Sequence, residues 1–165
     1  MTRFFGTFVG ALSAVLVTAP AQAASGPGAV VSAFYAQLLQ GTNDRAALFA
    51  RFLAPSTDVL YERAELRNRH ELVLDFDPPS GTQVGINGVR IGSPTITGTR
   101  AEVPVTLAVG LRHDQHLARR LTVVLHRIGG SWRIWDWIYH DPGHPDWTFR
   151  TTLAIDLARP AHRKY

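Results

Sequence analysis

Asp136 lies in an aromatic run, Trp132-Arg-Ile-Trp-Asp-Trp-Ile-Tyr139. A carboxylate among residues expected to be buried must be hydrogen-bonded, paired or shifted in pKa. Facing a pocket, it has the chemistry of a general base. Alternatively it binds a ligand, or it anchors an arginine or backbone amides in the core. The run leads into Tyr139-His140-Asp141-Pro142-Gly143-His144-Pro145-Asp146-Trp147, the densest polar cluster of the chain. His140 is a second candidate for acid–base work. Together with Asp141, His144 and Asp146 it also supplies donors that zinc or a similar metal accepts. Their spacing matches no known ligand set, however, and two prolines with a glycine equally suit the turns of a rim loop. His113, Asp114 and His116 read as an exposed loop tip. Ser131, His126 and Asp136 make a triad on paper, without the Gly-x-Ser-x-Gly elbow that would support it.

Several chemistries are excluded outright. The chain has no cysteine, so no disulfide, iron–sulfur cluster or thiol nucleophile is possible. Lys164 is the only lysine, and no glycine-rich phosphate loop carries one. No cofactor is expected. Aromatic residues are the better candidates for binding. Tyr35 and Tyr61, with Phe34 and Phe76, can line a pocket mouth with hydroxyls at the wet end, or pack in the core. Trp135, Trp137 and Tyr139 flank Asp136 on the last clear strand. Arg119, Arg127 and Arg133 read as a surface ladder with Glu102 across paired strands.

The elements that must position these residues come in the order helices first, strands afterwards. Pro27 opens a helix in which Val30, Val31, Phe34 and Leu38 recur at helical spacing until Gly41. Asn43 or Asp44 caps a second helix with Leu48, Phe49, Phe52 and Leu53 on one stripe. Pro55-Ser56-Thr57 starts a third, expected from about Thr57 to Leu74 with Leu60, Ala64 and His70 or Val73 facing inward. Asp77-Pro78-Pro79-Ser80-Gly81 then forms a rigid turn.

Beyond it the apolar period changes to two. A strand is expected over roughly Gly88 to Thr97. The next places Ala101, Val103, Val105, Leu107, Val109 and Leu111 on one face, with Pro104 at an edge or a bulge. Leu117 to Ile128 pairs through a Gly129-Gly130 hairpin with Ser131 to Tyr139. There Trp132, Ile134, Asp136 and Ile138 alternate against Arg133, Trp135, Trp137 and Tyr139. The segment Thr148 to Leu157 reads as a short strand or as a helix with Phe149, Leu153 and Leu157 on one face. The fold class is α+β, N-terminal helices packed on an antiparallel sheet.

The helical Val30-Val31-Ser-Ala-Phe34-Tyr35 opening and the hairpin ending Leu121-Thr-Val-Val-Leu125-His-Arg-Ile-Gly-Gly-Ser-Trp132-Arg-Ile134-Trp-Asp136-Trp-Ile138-Tyr resemble the NTF2-like superfamily. Within it the chain looks closest to small exported bacterial domains of the DUF3828 type, of unknown function. The resemblance implies a cone-like, strongly curved sheet over three helices, often as a homodimer. The superfamily holds isomerases, dehydratases and plain binding domains, so fold does not transfer function. It implies a small-ligand or protein-binding domain. The alternatives are an isomerase or dehydratase using Asp136 as general base, and an immunity-type or structural protein acting through an interface.

Residues 1–23 read as a signal peptide: Arg3, an apolar run from Phe4 to Pro20, then Ala21-Gln22-Ala23. Residues 24–165 are then expected as one domain, periplasmic or secreted in a bacterium. The net charge of +4 comes from arginines lying among acids, which argues against nucleic acid as a partner. No later segment is apolar enough for a membrane span, so no membrane contact is expected once the leader is lost. Self-association is expected through a sheet face, because Trp135, Trp137 and Tyr139 exceed what one layer of helices buries.

Overall fold

The computed structural model describes residues 26–41, 44–67 and 74–159. The expected signal peptide, Asn43, and residues 68–73 of the expected third helix, with His70 and Val73, lie outside these residues, while Leu74, its expected end, is described and is not helical. Helices come first: α1 (Pro27–Leu39), α2 (Arg45–Phe52) and α3 (Pro55–Arg67). Strands follow as β1 (Gly85–Ile91), β2 (Thr95–Thr97), β3 (Arg100–Gly110), β4 (Leu117–Ile128), β5 (Ser131–His140) and β6 (Trp147–Thr148), before a closing helix α4 (Phe149–Ala158). They form one antiparallel sheet in the order β1-β3-β4-β5-β6, with β2 also paired to β3. The α+β class is therefore observed.

Local chemistry accounts for the element ends. Pro27 occupies the first turn of α1, and Gly41 follows its last turn with φ at +76°. Asp44 caps α2 by accepting from the Ala47 N–H at 2.8 Å. The α2–α3 junction docks on the free edge of β5, where the Ala54 N–H donates to the Ile134 carbonyl at 2.7 Å. The hydroxyl of buried Thr57 donates to the Trp135 carbonyl beside it. An edge that would otherwise present bare acceptors is thus closed. Segment 148–157 is both of its expected forms in part: Thr148 ends β6, and α4 then buries Phe149 and Leu153.

Pro104 lies inside the sheet, opposite the gap between β1 and β2. β1 pairs as far as Val105 and β2 begins at Glu102, so the residue without an N–H meets no strand on that side. The expected single strand from Gly88 to Thr97 is divided there. Ala101, Val103, Val105, Leu107 and Val109 are buried as their alternation predicts. Leu111 is not: β3 ends at Gly110, and Leu111 is 81% exposed in the loop beyond.

The alternation expected along β5 fails at one residue. Val124 pairs with Asp136 but Leu125 pairs with Ile134, leaving Trp135 as a bulge. The extra residue reverses the parity, so Ile134, Trp137 and Tyr139 all point to the helices. Trp137 has no exposed surface and meets the rings of Phe34, Phe49 and Phe149 with centroids 5.4–6.4 Å away. The surplus of aromatic surface foreseen for self-association is therefore absorbed by α1, α2 and α4 at Trp137, and Tyr139 is buried too.

Candidate functional site

Asp136 follows the bulge and faces the start of α4. Its Oδ1 accepts from the Trp137 N–H at 2.9 Å and from the Arg150 N–H at 3.0 Å. The Thr148 side chain beside it caps α4 by accepting from the Thr151 N–H, and its hydroxyl donates to the Thr151 hydroxyl at 3.0 Å. Burial pushes the carboxyl above its ordinary pKa, and the backbone bonds from Arg150 and Trp137 pull it back in part. The group thus holds one backbone amide of β5 and one at the start of α4, where the helix dipole favours an anion.

Trp135, displaced by the bulge, is sandwiched. The Arg150 guanidinium lies 4.1 Å from its ring centroid, and the His126 ring stacks in parallel with centroids 4.4 Å apart. The stack leaves the His126 Nε2 buried without a hydrogen-bond partner among the described residues. Ser131 pairs with Ile128 and Asp136 with Val124, so strand register places them on either side of His126.

The tyrosines proposed for a pocket mouth are placed elsewhere. Tyr35 and Tyr139 are fully buried and donate to the Pro79 and Pro78 carbonyls at 2.7 and 2.6 Å. Burial raises the pKa of both phenols. Both hydroxyls hold the Asp77–Gly81 turn against the sheet. Tyr61 is half-buried against Phe49 and Phe149, and Phe76 packs edge-on to Tyr139 and Trp147.

The polar cluster after β5 is internally paired. His140 Nε2 hydrogen-bonds Thr122 at 2.9 Å, and its Nδ1 meets Asp146 at 2.9 Å. Asp141 pairs with Arg119 and accepts from the Trp147 Nε1–H at 2.7 Å. His144 contributes its backbone N–H to a turn on the Asp141 carbonyl. Among the described residues no three metal-ligating side chains converge. The expected arginine ladder also divides, because Glu102 pairs with Arg100 and Arg119 turns to Asp141.

The remaining arginines of that ladder line a groove of about 470 Å³. It lies between the start of α1, the end of α2 and the tips of the β2–β3 and β4–β5 hairpins. Val30, Phe52, Ile96 and Trp132 give it apolar walls, and Arg51, Arg127 and Arg133 its charge. Trp132 opposes Arg127 across the hairpin, and the Arg133 Nη1 donates to the Arg51 carbonyl. Arg127 and Arg133 were visible in the sequence as neighbours of Gly129-Gly130. Arg51 joins them only through the docking of α2, for which no sequence signal exists. A second groove, of about 520 Å³, is lined by Leu38, Phe76 and Val84, and its Arg45 and Asp77 neutralise each other.

Compared with protein-family models, curated proteins and solved structures, the chain matches none.

Proposed function

We propose that this chain is an exported, NTF2-like binding domain that takes a small ligand in the groove between α1, α2 and the two hairpin tips. One observation carries the reading: a concave site of ligand size, about 470 Å³, with apolar walls and several polar side chains at its rim. Export rests on the leader-like residues 1–23, and the fold family on the resemblance of the opening helix and closing hairpin. The catalytic alternative draws less support, since Oδ1 of Asp136 already accepts from two backbone amides.

Thermal unfolding in the presence of a panel of small anionic, neutral and cationic organic molecules tests the site. Ala33 lines the groove at an exposed position of α1, so Ala33→Trp should fill the groove while leaving the core alone. At least one class should raise Tm by several degrees in the parent protein and not in Ala33→Trp. No stabilisation by any class, or stabilisation that survives Ala33→Trp, would remove the groove from consideration.

A further inference from the structure

We infer that the groove selects small organic anions, a carboxylate or phosphate carried on a flat apolar group; this rests on reading the groove as the ligand site. Four arginines of the molecule are compensated by carboxylates. Arg45 pairs with Asp77, Arg100 with Glu102, Arg112 with Asp114 and Arg119 with Asp141. Other described arginines, Arg90 and Arg120 among them, also lack a carboxylate partner; Arg51, Arg127 and Arg133 are set apart because all three line one groove. Among the described residues no ion pair joins them to a carboxylate, no acid lines the groove, and α1 brings none in its first turn.

Neutral contacts hold the three guanidinium groups in place. Arg133 donates to the Arg51 carbonyl, Arg127 Nε donates to the Gly130 carbonyl at 3.3 Å, and Arg51 stacks over Phe52 at 5.2 Å. A guanidinium has five N–H donors in a planar fork, so these contacts leave most of them available. Three like charges at one mouth repel one another, and an anion bound between them removes that repulsion while accepting charge-assisted bonds. A cation gains nothing from this rim. Trp132, Ile96 and Val30 on the walls suit a flat apolar body behind the anionic head.

Calorimetric titration with four compounds sharing one ring tests the inference: benzoate, phenyl phosphate, benzyl alcohol and benzylamine. Both anions should bind, more weakly as salt is raised, with the alcohol and the amine at least ten-fold weaker. The ratio of phenyl phosphate to benzoate affinity identifies which head group the rim prefers. Arg51→Gln and Arg127→Gln, both at exposed side chains, should each weaken the anions about ten-fold with the unfolding midpoint unchanged. Arg127→Lys should restore only part of the loss, since the planar fork is missing. Benzyl alcohol binding as tightly as benzoate, or unaltered affinity in both glutamine variants, overturns anion selectivity. It leaves the groove standing as a ligand site if Ala33→Trp still blocks binding. Failure of all four compounds while the thermal panel finds another ligand overturns it as well.

Discussion

Asp136, a candidate general base in the sequence, holds two backbone N–H groups in the fold. Its Oδ1 receives two N–H groups, one from the strand and one from the first turn of α4. Asp136→Ala leaves both donors without this acceptor and should cost about 1–3 kcal/mol. Asp136→Asn keeps a carbonyl acceptor for both N–H groups, so its loss at pH 7 should be about 1 kcal/mol or less. The native pKa is raised above 3.8, so the native state holds its proton to higher pH than the unfolded chain. The stability margin of the parent over Asp136→Asn should therefore be largest below pH 3.8 and fall as pH rises through the raised native value. Denaturant titrations of both proteins from about pH 3 to pH 7 measure it. A margin that grows with pH would contradict the burial argument.

At the scale of elements, the rigid turn 77–81 and strand β5 are mutually dependent. Gly81 adopts φ of +63°, and a Cβ there would lie 2.5 Å from Tyr139 Cδ1 and 3.0 Å from Arg119 Nη2. Glycine is required by both conformation and space. Gly81→Ala should lower stability by about 2–4 kcal/mol, combining backbone strain with displacement of a buried ring. Gly129→Ala, also at positive φ but with open space around its Cβ position, should cost only the backbone part, about 1 kcal/mol. Equal losses in a paired urea titration would show that contact with Tyr139 plays no part. The bulge at Trp135 is the other element-scale device. It lets three large apolar residues of β5, Ile134, Trp137 and Tyr139, share the helix-facing side.

At the scale of the whole molecule, Trp137 ties the layers together. It has no exposed surface and its ring neighbours come from α1, α2 and α4. Trp137→Asp removes the largest fully buried side chain and puts an unpaired charge in its place. The combined loss exceeds about 5 kcal/mol, enough to unfold a domain of ordinary stability. Near-UV circular dichroism should collapse and cooperative melting disappear. A variant that keeps both would mean that Trp137 contacts other surfaces than the helices.

Helix starts at Pro27 and Asp44, the Gly129-Gly130 hairpin and the alternating run from Ala101 to Val109 were all legible in the residues themselves. Each depends on local rules: a fixed φ, a capping oxygen, a left-handed glycine, a period of two. The parity of β5 was not legible, because a bulge is set by what its flanks must bury, and apolar or aromatic residues stand on both faces of the run from Trp132 to Tyr139. Nor was the engagement of Asp136, whose N–H donor on Arg150 lies 14 positions away. The groove depended most on tertiary structure. Arg51 reaches Arg133 across a separation of 82 residues, and only the docking of α2 on the edge of β5 joins them. Local sequence decides where chains turn and which stripes are apolar. Packing of those stripes decides which charges finish without a partner.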